Sequence, residues 1–73
     1  MDIKNKVGHR IKELRKLLSL SQETLANRAE VDRTYVTDVE NGRRNVSVEI
    51  LERIIYALEV SISEFFNSKE FKK

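Results

Sequence analysis

Arg33, Thr34, Tyr35, Thr37 and Asp38 make a dense run of hydrogen-bonding and aromatic side chains, interrupted by Val36 and followed by Val39. At helical spacing the two valines fall on one side and the other five residues on the opposite side. Arginine can bond guanine O6 and N7 in a two-pronged contact, and a threonine methyl or tyrosine ring can lie against a thymine methyl. A helix carrying Arg33, Thr34, Tyr35 and Thr37 therefore suits the major groove of duplex DNA. Asp38 is the awkward member: it can accept from cytosine N4 but repels phosphate, and it is left out of the base-reading set. Upstream, Ser21 and Gln22 stand where a helix begins, and the free amides and positive dipole end there favour a phosphate. They are the expected backbone-positioning contacts, with helix capping as the first duty of Ser21.

Other chemistries lack their residues. There is no cysteine and only one histidine, His9, so no thiolate zinc site, disulfide or cysteine nucleophile can form, and His9 reads as a surface residue. No paired acid and base, nucleophile triad or phosphate-cradling glycine loop is present, so no enzyme activity, cofactor or metal is expected. Asn45-Val46-Ser47 matches the glycosylation acceptor pattern by chance, since the N-terminus shows no apolar segment of a secretory signal.

The elements that must position these residues are short helices. Val7, Ile11, Leu14 and Leu18 recur at helical steps, which predicts a first helix over about residues 6–18, broken by Ser19-Leu20-Ser21. Ser21 caps a second helix over 22–29, and Asp32 caps a third over 33–41 that Gly42 ends in a left-handed conformation. Ser47 caps a fourth, with Val48, Leu51, Ile54, Ile55 and Leu58 as a broad apolar face. Ser61 and Glu64 form a capping box for a short fifth helix. Residues from Lys69 to Lys73 are expected to fray. In the pair of helices at 22–41, Leu25, Ala26 and Ala29 make a thin inner face, Val31 plugs the turn, and Val36 and Val39 face inward. Such small and branched residues let two short helices cross steeply.

With 73 residues, 40% apolar and 36% charged, the chain is expected to fold as one domain over 1–73. No apolar run approaches membrane-spanning length, so no membrane partner is expected, and the cytoplasm is the expected location. The net charge of +2 is unevenly placed. Residues 1–44 carry 10 basic and 7 acidic side chains, and residues 45–73 carry 4 and 5. A polyanion would prefer the first half, with Lys4, Lys6, Arg10, Lys12, Arg15 and Lys16 close together, although on charge alone these side chains read first as the solvated faces of amphipathic helices.

From Gln22 through Gly42 the chain resembles the lambda-repressor and Cro-like (Xre) helix-turn-helix family, and the five-helix plan extends that resemblance to about residue 67. Asp32-Arg33-Thr34-Tyr35-Val36 and Glu40-Asn41-Gly42-Arg43-Arg44-Asn45 are most similar to the restriction-modification controller proteins. The resemblance implies an all-α DNA-binding domain of a transcriptional regulator. It implies backbone or minor-groove contacts from Arg43, Arg44 and Asn45, and a structural ion pair between Arg15 and Glu40. One departure is Glu30, which stands where the family commonly has a turn glycine. A left-handed glutamate costs about 1 kcal/mol.

A chain of this size buries only about 60% of its unfolded surface. Its last third, the expected dimerisation region 50–68, holds more apolar side chains than one helix face can hide. Phe65 and Phe66 cannot both point inward from a five-residue helix. Phe65 is expected in the core, and Ile55, Leu58, Ile62 and Phe66 at the interface of a homodimer. A two-fold pair would set two recognition helices about 34 Å apart, matching successive major grooves at an inverted-repeat operator. The combined expectation is a homodimeric regulator with no small-molecule ligand, acting by blocking RNA polymerase or by contacting it. Alternatives are an antitoxin-type autorepressor and a protein-interaction module of the same fold.

Overall fold

Each helix begins where a short oxygen-bearing side chain takes up a free backbone amide. The computed structural model describes residues 2–72, and its five α-helices are α1 (Ile3–Leu17), α2 (Gln22–Ala29), α3 (Arg33–Glu40), α4 (Val48–Ala57) and α5 (Ile62–Phe66). Ser21 accepts from the Thr24 amide at 3.0 Å, Asp32 from Thr34 at 3.4 Å, Ser47 from Ile50 at 3.2 Å and Ser61 from Glu64 at 3.0 Å. Glu64 returns a bond to the Ser61 amide, completing the capping box. The cap of α1 is Asp2, which accepts from Asn5 at 3.0 Å and starts the helix three residues before the expected position. That hydrogen bond holds the Asp2 carboxyl below its ordinary pKa.

The helix ends are made mostly without glycine. Ser19 (φ 56°), Glu30 (φ 59°) and Glu59 (φ 63°) all take the left-handed conformation, as does Gly42 (φ 73°). After α2, Glu30 returns its amide to Asn27 and Val31 to Ala26, closing the last carbonyls in a Schellman turn. The departure at residue 30 thus leaves the turn geometry of the fold intact. After α3, Gly42 bonds Val39 and Arg43 bonds the Asp38 carbonyl at 2.9 Å in the same way. A Cβ at Gly42 would also lie 2.0 Å from the Asn5 side chain.

The core is drawn from every helix: Val7, Ile11 and Leu14; Leu25, Ala26 and Ala29; Val36 and Val39; Ile54, Ile55, Ala57 and Leu58; and Phe65. α1 packs against α3, and α2 packs against both α3 and α4. Gly8 sets the first of these approaches, because a Cβ there would stand 2.3 Å from the Val39 carbonyl and 2.7 Å from that of Glu40. Two arginines tie the frame together over long sequence distances. Arg10 of α1 donates to the Glu64 and Phe65 carbonyls, each at 2.7 Å, and Arg53 of α4 donates to Ala29 at 3.0 Å and to Glu30. Each places a cation on carbonyls at the C-terminal end of another helix, where the dipole is negative.

Three expectations are corrected. Ile55 and Leu58, assigned to a dimer face, are each only 1% exposed, because α4 turns them into the monomer's own core. Val48, expected on the inner face of α4, is 84% exposed in its first turn. The tail does not fray throughout: Lys69–Phe71 forms a 3-10 turn, and the Phe71 ring packs on Phe66 with centroids 4.9 Å apart. Lys73 lies outside the described residues. No helix among the described residues is long and apolar enough to cross a membrane.

Candidate nucleic-acid interface

Val36 and Val39 are buried, and this fixes the roll of α3 so that Arg33 and Thr34 are exposed while Tyr35, Thr37 and Asp38 are half-covered. Behind α3 lies a buried polar network. Arg15 donates to Glu40 through Nε at 2.6 Å and Nη2 at 2.9 Å, and through Nη1 to the Leu20 carbonyl at 2.8 Å. The expected ion pair is therefore present. Both residues are largely out of water, and the hydrogen bonds to Glu40 raise the Arg15 pKa above its ordinary value. Gln22 extends the network, its amide nitrogen donating to Glu40 Oε1 at 3.1 Å while its amide oxygen accepts from the Thr37 hydroxyl at 2.8 Å. No buried side-chain polar atom among the described residues is left without a partner.

Gln22 and Thr37 thus link the start of α2 to the middle of α3. The Thr37 hydroxyl is turned to Gln22 and to the Arg33 carbonyl, 3.1 Å away, leaving its methyl as the group free to meet a base. Ser21 caps α2 as expected. Ser21, Gln22 and Arg33 gather around one open hollow between the starts of α2 and α3, with Arg15 at its back and Glu23 at its rim. Free amides at two helix N-termini and a free guanidinium there are suited to a phosphate.

Arg43, Arg44 and Asn45 are exposed in the loop between α3 and α4, but the two arginines are not free. Arg43 lies 3.9 Å and Arg44 3.7 Å from separate oxygens of Asp38, and the Arg44 guanidinium sits 4.5 Å over the centre of the Tyr35 ring. The left-handed Gly42 brings the loop back over the last turn of α3, so the acid five residues before Arg43 becomes its neighbour. The turn is legible in the sequence from Gly42, whereas the meeting of Asp38 with both arginines depends on how long side chains fold back across it. Of the cations clustered in α1, Arg10 and Arg15 are committed to internal bonds, while Lys4, Lys12 and Lys16 remain exposed.

Leu51 and Phe66, which share one hollow with Arg44 and Asn45, also line a neighbouring apolar groove with Val48 and Ile62, with Glu52 at its edge and Ile55 at its floor. Ile62 is 47% exposed, while Phe65 is fully buried and meets Phe66 edge to face at 4.9 Å. The two expected interface residues that stay accessible are therefore Ile62 and Phe66.

A family model described as helix-turn-helix matches residues 11–65. Among curated relatives, control protein C.MunI from a Mycoplasma species is 46% identical over 70 residues, covering 94% of this chain and 95% of that one. The crystal structure of the restriction-modification controller protein C.AhdI from Aeromonas hydrophila superposes with a TM-score of 0.83 at 44% identity, covering 86% of this chain and 96% of that one. That of the controller C.Esp1396I, a tetramer in complex with its natural 35 base-pair operator, gives a TM-score of 0.86 at 38% identity, covering 90% and 87%. Every one of these alignments includes the α2–α3 pair or the greater part of the chain around it, and the chain belongs to the helix-turn-helix family, among the restriction-modification controller proteins.

Proposed function

We propose that this protein is a sequence-specific DNA-binding transcriptional regulator that acts as a homodimer on inverted-repeat operators and controls a restriction-modification system. The observation that carries this reading is the rolled α3, with Val36 and Val39 buried and Arg33, Thr34 and Tyr35 displayed ahead of them. The first turn of such a helix reaches base edges, while the hollow at Ser21 and Gln22 meets the backbone. Arg33, Thr34, Tyr35 and the Thr37 methyl are the base-reading groups, and Arg43, Arg44 and Asn45 lie along the backbone or minor groove. C.Esp1396I, a relative of the same fold, is solved as a tetramer in complex with its natural 35 base-pair operator, which supports the DNA-binding reading.

The homodimer joins through Val48, Leu51, Ile62 and Phe66, which extends the dimerisation region two residues before Ile50. Selection of bound sites from random duplexes tests the reading. A palindrome with half-sites about one helical turn apart is the expected product, and no enrichment over the input pool overturns it. Transcription with purified RNA polymerase on an operator–promoter fragment separates blocking of the polymerase from contact with it.

A further inference from the structure

Gln22 stands where a backbone contact is expected, yet both ends of its side-chain amide are engaged inside the protein. The nitrogen donates to Glu40 Oε1 at 3.1 Å, and the oxygen accepts from the Thr37 hydroxyl at 2.8 Å. Glu40 dictates this orientation. A carboxylate offers only acceptors, so the amide must turn its NH2 group toward Glu40 and has only its oxygen left for Thr37. Glu40 is itself fixed, buried and held by two bonds from Arg15 at 2.6 and 2.9 Å. A charge behind α3 thus acts, through one side chain of α2, on a base-reading residue of α3.

Thr37 needs such a hold. A threonine in a helix divides between two rotamers, because its hydroxyl can reach a carbonyl of the preceding turn from either. Here that carbonyl belongs to Arg33, 3.1 Å away. The two rotamers point the methyl in different directions, and the Arg33 carbonyl does not choose between them. The Gln22 oxygen does, because it is one fixed acceptor beside the helix. Resting on the DNA-binding reading, we propose that Gln22 is a specificity-determining positioning residue: oriented by Glu40, it holds the Thr37 hydroxyl inward and so presents the methyl to a base. A methyl meets the C5-methyl of thymine and offers nothing to the hydrogen-bonding edges of other bases. A freed hydroxyl both donates and accepts, and so tolerates any of them. For the held hydroxyl to turn toward a wrong base it must leave the Gln22 oxygen unpaired. Binding to thymine needs no such change, since the methyl is already in place. Gln22 therefore acts on the ratio between bases.

The test compares the selected operator with duplexes carrying deoxyuridine in place of one thymine per half-site, which deletes only the methyl. At the thymine that Thr37 faces, the wild type should lose about fourfold per half-site, the worth of about one buried methyl group. Thr37→Ser, which lacks the methyl, identifies that position by abolishing the difference there. Gln22→Met keeps the length of the side chain and leaves both Arg15–Glu40 bonds in place. In it the difference should shrink to about twofold or less, as the methyl divides its time between two directions. Adding Thr37→Val should restore the fourfold difference, because valine carries methyls at both of the positions between which the threonine methyl alternates. An unchanged difference in Gln22→Met, with every duplex weakened alike, makes Gln22 a backbone contact alone and overturns the proposal. Failure of Thr37→Val to restore the difference, or a wild type indifferent to deoxyuridine at every thymine, overturns it too. A DNA-free measurement accompanies these: by nuclear magnetic resonance the Thr37 Hα–Hβ coupling should report one staggered rotamer in the wild type and an averaged value in Gln22→Met, and the same value in both overturns the hold. A wild type that binds no duplex at low salt, with that single rotamer present, overturns instead the DNA-binding role on which the inference rests.

Discussion

At the scale of single residues, two buried or displayed arginines have opposite consequences. Arg33 is exposed at the start of α3, and among the described residues its guanidinium is in no ion pair. Arg33→Ala should therefore cost about 1–3 kcal/mol on the operator and leave random DNA nearly unaffected. Titration of both duplexes checks this, and equal losses would make Arg33 a phosphate contact instead. Arg15 is buried against Glu40. Removing one partner strands the other charge, so Glu40→Leu should destabilise the fold by about 3–5 kcal/mol. Arg15→Met in the same molecule should restore much of that loss, because a buried pair is often replaced by apolar side chains at little net cost. Denaturant unfolding of the two single variants and the double variant measures the coupling.

At the scale of helices, the sequence was most legible where the chemistry is local. Ser21, Asp32, Ser47 and Ser61 announced four helix starts because a cap and its amide lie within three residues of one another. Gly8 and the arginine clamps were not legible. What Gly8 avoids is a carbonyl of α3, and what Arg10 and Arg53 hold are carbonyls many residues away. Gly8→Ala should force α1 off α3 and cost about 1–3 kcal/mol in thermal or denaturant unfolding, despite alanine's better helix propensity. An unchanged or raised midpoint would show that α1 can shift freely. Glu30→Gly should act in the opposite direction, stabilising by up to about 1 kcal/mol, since the left-handed strain is relieved while the carbonyl that Arg53 grips is retained. A loss of stability would mean that the glutamate side chain holds more than its backbone suggests.

At the scale of the molecule, apolar composition alone could not divide α4 and α5 between core and partner. Ile55 and Leu58 look like Leu51 and Ile62 in the sequence, and only the roll of α4 assigns the first two to the interior. Phe65 and Phe66 were separable because they are adjacent on a helix of five residues. Phe65→Glu should unfold the domain by placing a charge in its core. Phe66→Glu, at the groove with Val48 and Ile62, should leave a helical monomer that has lost operator binding. Circular dichroism with sedimentation checks both. A wild type that sediments as a monomer at high micromolar concentration rules out the dimer.

The bond from Arg10 to Phe65 also sets a schedule. Its partners are 55 residues apart, and a ribosome adding about 5–20 residues per second needs roughly 3–11 s to cover that span. Until then α1 has neither the carbonyls its arginine holds nor the phenylalanine that seals the core. The residues of the helix pair at 22–40 are joined to the nascent chain before those of the frame that orients them, and helices of eight residues need that frame to hold their shape. Each molecule therefore reaches its binding-competent form some seconds after the residues of its recognition helix are joined, and regulation begins with that delay built in.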